Sequence, residues 1–265
     1  MKSYEIRDEE SGLFIGVLLY YEKEKSFIIE LADGLDEWQA PLLLTYYVKK
    51  GIYTIPRDVS LLWVQERIIP NTRQNIGAIL NTHKLKEYDE MKFLELSEGR
   101  CSQDSLFIKR IPRLPEFVTE RQRGNVAECG IIAEHELLCF FFDGTSRRID
   151  LSKLTSTEGV EKVLRHEPLF RSCRVGTGGY CVTFDDVVDI PAKTLKNAGE
   201  KVPVSLEELI HFLKNTLLDT PGCCDLLQCS RQNLAYLQKK KLLSPVQENR
   251  KGNLFLKGEV LKNRW

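Results

Sequence analysis

No stretch of this 265-residue chain is apolar for long. The longest mainly apolar run, residues 13–21, is about half of the roughly 18 residues a membrane-spanning helix needs. The start, "MKSYEIRDEESG", carries charges where a secretory leader requires an apolar core. Both features set the expectation of a cytoplasmic protein with no membrane partner. Histidine is scarce at four residues. His135 and Cys139 are four apart, but in a strand that spacing separates them by about 13 Å. There is no H-E-x-x-H, no phosphate-binding P-loop and no G-x-S-x-G, so no catalytic residue, no enzyme activity and no cofactor is expected. Eight cysteines are present, but scattered without repeated spacing, which favours reduced thiols over a disulfide framework. Zinc at Cys223, Cys224 and Cys229 is disfavoured: adjacent cysteines on a helix point about 100° apart, and no second pair follows, so no metal is expected.

Net charge is also missing, because 38 Lys or Arg balance 38 Asp or Glu. The balance conceals a polarity. Residues 228–265 hold nine Lys or Arg against two Glu, a net of +7, and the rest of the chain carries −7. Such an asymmetry suits a C-terminal segment made for a polyanion, or simply a solvated basic face near the terminus.

Residues 1–112 read as an α+β unit. "LFIGVLLYY", the charged turn "EKEK" and "SFIIEL" form two β-rich runs around a polar breaker, a hairpin. "PRDVSLLWVQERI" starts at Pro56 and spaces Val59, Leu62, Trp63 and Ile68 for a buried helical stripe. Asn71 is placed to cap a helix through Leu80, and a further helix is expected over 87–96 before the strand "SLFIKRI". Residues 113–126, with two prolines and mixed charge, suit a linker. Residues 127–201 read as a small α/β unit containing the Asp143-Gly144 turn, a hairpin of "LFRSCRV" and "YCVTF", and a closing helix ended by Gly199. Gly176, Gly178 and Gly179 lack nucleotide-loop spacing and suit that hairpin's turn. The whole chain is expected to be α+β, in three small units, the last of them, 202–265, mainly helical.

That last unit is the most specialised. A helix capped by Ser205 carries the stripe Leu206, Leu209, Ile210 and Leu213. A second follows in "DTPGCCDLL", with Thr220 as cap and Pro221 at the first helical position. Then comes "CSRQNLAYLQKKKLL". Ser230 is a good N-cap, so residues 231–241 should be helical, with Leu234, Leu237 and either Leu242 or Leu243 facing Leu226 and Leu227. Arg231, Gln232 and Asn233 then occupy the exposed first turn. Their side chains can make paired hydrogen bonds to guanine or adenine edges. Tyr236, Lys239, Lys240 and Lys241 can reach phosphates.

Two helices across a short turn, followed by "LLSPV", a basic hairpin tip at Arg250-Lys251-Gly252, the strand "LFL" and a last helix, resemble the winged helix-turn-helix of excisionase-like and MerR-type DNA-binding domains. The resemblance covers residues 220–265 and rests on "CSRQNLAYL" and "LLSPV", with Gln228 where the usual turn glycine stands. It implies double-stranded DNA as partner, contacts from Ser230, Arg231, Gln232, Asn233, Tyr236 and Lys239 to Lys241, a wing contact through Arg250 and Lys251, and a homodimer.

Residues 127–199 resemble a small uncharacterised α/β family associated with toxin–antitoxin loci, through Phe141-Phe142-Asp143-Gly144, Arg148, Asp150-Leu151, Leu169-Phe170, Asp189-Ile190, Leu195 and Gly199. The first unit resembles the N-terminal subdomain of HipA-type toxin kinases through Pro70, Arg73, Asp89, Phe93-Leu94, Gly99 and Asp104-Ser105-Leu106; no kinase catalytic motif follows. Together these resemblances imply a bacterial or phage-related, antitoxin-like transcription regulator whose first units bind a protein partner, such as a toxin or kinase-like protein. The alternative is a protein–protein interaction module without DNA binding.

Overall fold

The expected first hairpin forms the middle of a five-stranded antiparallel sheet of order β4-β3-β2-β1-β5. The structure, a computed structural model, describes residues 1–201, 206–248 and 252–264. The chain is α+β, with antiparallel sheets and no closed barrel. It divides into two units, Met1–Thr119 and Glu120–Trp265.

In the first unit the strands are β1 (Lys2–Asp8), β2 (Phe14–Tyr21), β3 (Ser26–Leu31), β4 (Thr54–Ile55) and β5 (Leu106–Arg110). β2 is buried from Ile15 through Tyr21, which matches its unbroken apolar run: a strand covered on both faces does not alternate. The helices are α1 (Thr45–Lys49), α2 (Arg57–Gln65), α3 (Ile76–Thr82) and α4 (Glu90–Leu96), and α5 (Glu116–Arg123) runs across the unit boundary.

Three helical expectations change. α2 buries Ser60, Trp63 and Val64, while Leu62 faces solvent. Ser60 is small enough to let the helix approach β3, where its hydroxyl accepts from the Ile29 N–H at 3.0 Å. α3 starts after Asn75 rather than Asn71, and α4 starts at Glu90 because the Asp89 carboxylate accepts from the Lys92 N–H. α5 occupies most of the expected linker, anchored by the fully buried Val118.

The second unit contains β6 (Val126–Ala133), β7 (Glu136–Phe141) and β8 (Ser146–Asp150) in one sheet. Helices α6 (Val160–Arg165) and α7 (Glu167–Arg171) lead to β9 (Cys173–Val175), β10 (Cys181–Phe184) and β11 (Val188–Pro191), which form a second sheet. α7 takes "LFR", expected as strand, because His166 Nδ1 accepts from the Leu169 N–H at 3.2 Å and caps a helical turn. The turn Thr177–Gly179 joins β9 to β10.

After α8 (Ala192–Ala198) come α9 (Leu206–Thr216), β12 (Leu217–Asp219), α10 (Thr220–Leu227), α11 (Arg231–Lys239), β13 (Leu254–Leu256) and α12 (Lys257–Lys262). The expected cap Ser205 and the side chains of Leu206 and Leu209 lie outside the described residues. No unit boundary falls between α8 and α9. One face of β6 and β7 carries Ile132, Leu138 and Phe140 against Phe212 and Leu213 of α9. The other face, with Cys129, Leu137, Cys139 and Phe141, joins a larger core that also takes Leu261 of α12 and Leu226 of α10.

Candidate nucleic-acid interface

The exposed basic segment is built on a small core of its own. Cys223 of α10, Leu234 and Leu237 of α11, Leu243, Phe255 of β13 and Val260 of α12 are buried together, with Leu218, Leu226 and Leu227 packed against them. Apolar residues three apart on α11 define its inward side. Burial pushes the Cys223 thiol up to about 12, as suits a cysteine acting as a small hydrophobe. β12 and β13 pair antiparallel, Leu218 opposite Phe255, and the Val246 and Gln247 N–H groups donate to the Leu254 carbonyl. The pairing brings the chain after α11 back beside the strand that precedes α10.

α10 is capped by Asp219, whose carboxylate accepts from the Gly222 N–H at 2.9 Å; Thr220, expected as the cap, is the first helical residue instead. Asp219 wins because its carboxylate also sits favourably at the helix's positive end. The helix closes at Gln228, in the left-handed region at φ 50°, and the Cys229 N–H donates to the Cys224 carbonyl at 3.0 Å. Gln228 therefore adopts the conformation that a turn glycine supplies more cheaply.

Ser230 caps α11: its backbone is extended and its hydroxyl accepts from the Asn233 N–H at 3.3 Å. The turn between the two helices is thus Gln228, Cys229 and Ser230. α11 ends two residues earlier than expected. Lys241 takes φ 58°, its N–H donates to the Gln238 carbonyl, and the Leu242 N–H donates to the Leu237 carbonyl. Those paired bonds turn the chain so that Leu243 is buried and Leu242 is exposed.

The outward side holds Arg231, Gln232 and Asn233 on the first turn, then Tyr236, Lys239, Lys240 and Lys241, all exposed. The Lys240 ammonium lies 5.8 Å from the Tyr236 ring centroid. Among the described residues, no carboxylate forms an ion pair with Arg231, Lys239, Lys240 or Lys241. Arg250 and Lys251, expected at the hairpin tip, lie outside the described residues.

A buried carboxylate, not singled out in the sequence, also ties this segment to the sheet. Glu128 of β6 is buried, and its carboxylate accepts from the Gly258 N–H of α12 at 2.5 Å and from the Cys129 N–H at 3.0 Å. Burial raises its carboxyl to about 7, against the lowering effect of those two amides and of Lys257. Gly258 has no side chain for a reason: a Cβ there would collide with the Ala127 carbonyl oxygen. Strand alternation places Glu128 on the same side as Ile132, but nothing in the sequence pairs it with a glycine 130 positions away.

His166 caps α7, His135 meets the Phe170 ring edge-on, and Asp143 binds Thr145 within its turn and Lys196. No family model, curated protein or solved structure matches this chain. Among the described residues, no helix is long and apolar enough to cross a membrane.

Proposed function

We propose that the chain is a sequence-specific DNA-binding transcription regulator in which α11 enters the major groove. The observation that carries the proposal is the two-sidedness of α11. Leu234 and Leu237 are locked inward, while Arg231, Gln232 and Asn233 stand free on a Ser230-capped first turn. Arg matches guanine edges, and Gln and Asn match adenine. Tyr236 and the three lysines that follow reach backbone phosphates, and Arg250 and Lys251 add the wing contacts that the resemblance implies. The net charge of +7 over residues 228–265 supplies the attraction for a polyanion.

Helices of this kind read two half-sites one helical turn apart, so the working form is a homodimer. Residues 1–201 bind a protein partner. The toxin–antitoxin likeness of both units implies an antitoxin-like cytoplasmic regulator with a toxin or kinase-like partner. Selection of bound fragments from random duplex DNA by the full chain tests the proposal. The expected outcome is one enriched motif, repeated as two half-sites. Recovery of unenriched sequence, with tight binding of an acidic protein instead, would favour a protein–protein interaction module without DNA recognition.

A further inference from the structure

Two of the eight thiols touch. Cys129 on β6 and Cys173 at the start of β9 are 44 positions apart, yet their sulfurs lie 3.8 Å from each other. Cys129 is buried among the apolar residues between the two sheets, and Cys173 is half-buried at the edge of the same core. Both are free thiols. The contact with Cys173, together with burial, raises the Cys129 thiol well above its ordinary range, so Cys129 keeps its proton at rest. Cys139, directly opposite Cys129 on β7, is fully buried, and Cys181 is buried as well. The Cys129–Cys173 pair combines sulfur contact with one member that reaches solvent.

We propose that Cys129 and Cys173 are a reversible dithiol–disulfide site whose oxidant is a low-molecular-weight disulfide of the glutathione type. Cys173 releases its proton to solvent and its thiolate attacks one sulfur of the oxidant. That forms a mixed disulfide on Cys173 and expels one oxidant half as a thiolate, which takes up a proton. The Cys129 sulfur then attacks the Cys173 sulfur. The Cys129–Cys173 bond forms, the second half leaves, and the Cys129 proton passes to it. Two protein thiols are oxidised and one disulfide is reduced to two thiols. Closing the gap from 3.8 Å to a bonded length moves each sulfur by about 0.9 Å, within reach of small side-chain rotations.

The test incubates the folded full chain with glutathione disulfide, blocks remaining thiols by alkylation, and maps non-reduced peptides by mass spectrometry. Cleavage at Glu134 and Glu136 separates Cys129 from Cys139, and cleavage at Arg174 separates Cys173 from Cys181, so both ends of the cross-link are assigned without ambiguity. The expected product is a cross-link of the Cys129 and Cys173 peptides that a dithiol reductant reverses. Cys129→Ala should stop at a glutathione adduct on Cys173, Cys173→Ala should leave Cys129 an alkylatable thiol, and Cys139→Ala should still cross-link. Full alkylation of both residues in the treated parent chain, or a cross-link from Cys173 to another cysteine, would overturn the proposal. The parent chain alone decides the matter if a variant fails to fold, and no DNA enters the assay, so its outcome is separate from that for α11.

Discussion

Glu128 is a carboxylate placed where burial opposes its charge and two backbone amides favour it, and burial wins. With the folded group near 7 and the unfolded one near 4.5, the folded chain holds a proton that the unfolded chain releases across that window. Stability from this residue therefore falls as pH rises from about 4.5 to 7, by up to roughly 3 kcal/mol, and levels off above. Thermal melts across that range should show Glu128→Gln flattening the decline; parallel profiles for parent and variant would refute the assignment. At the interface, Gln232→Ala or Asn233→Ala should relax preference at one base pair and cost about 1–3 kcal/mol in duplex binding, measured by titration against single-site mutants of the selected DNA. Ser230 was legible because an N-cap depends on its immediate neighbours. Glu128 was not, because its acceptor role depends on Gly258, which the fold alone brings near.

The helix ends are the weak points of the C-terminal segment. Gln228 occupies a left-handed conformation that costs a non-glycine residue about 1–2 kcal/mol, so Gln228→Gly should raise stability by about 0.5–1 kcal/mol in denaturant unfolding. Ser230→Ala removes the bond to the Asn233 amide and should lower it by about 0.5–1 kcal/mol. Unchanged midpoints for both would mean that the turn contributes nothing to the packing of α11. Elements with strong local patterns were readable: the β2–β3 hairpin from its breaker, α11 from its cap and leucines. Others were settled by competition beyond the segment. "LFR" has strand-like composition, yet His166 caps it into a helix, and the proline-bearing stretch before β6 becomes helical because Val118 finds a buried place.

At the scale of the molecule each unit has a core of its own, around Trp63 and the β1–β5 sheet in the first and around the β6–β11 sheets, with α12 docked on them, in the second. Separate cores should unfold in separate calorimetric transitions, and Glu128→Gln should move only the one belonging to Glu120–Trp265. The charge polarity of the sequence pointed to the C-terminal segment. That this segment also sends Leu226 and Leu261 into the core of the preceding sheet was hidden, since these leucines look the same in sequence whether they pack locally or across.

The most direct test of α11 as a DNA reader is the affinity of the full chain for its selected duplex across a salt series, beside Lys240→Ala and Gln232→Ala. The parent should weaken steeply with salt, Lys240→Ala should reduce the slope by about one, and Gln232→Ala should keep the slope while losing discrimination at one base pair. Identical slopes and identical preference in all three proteins would contradict it.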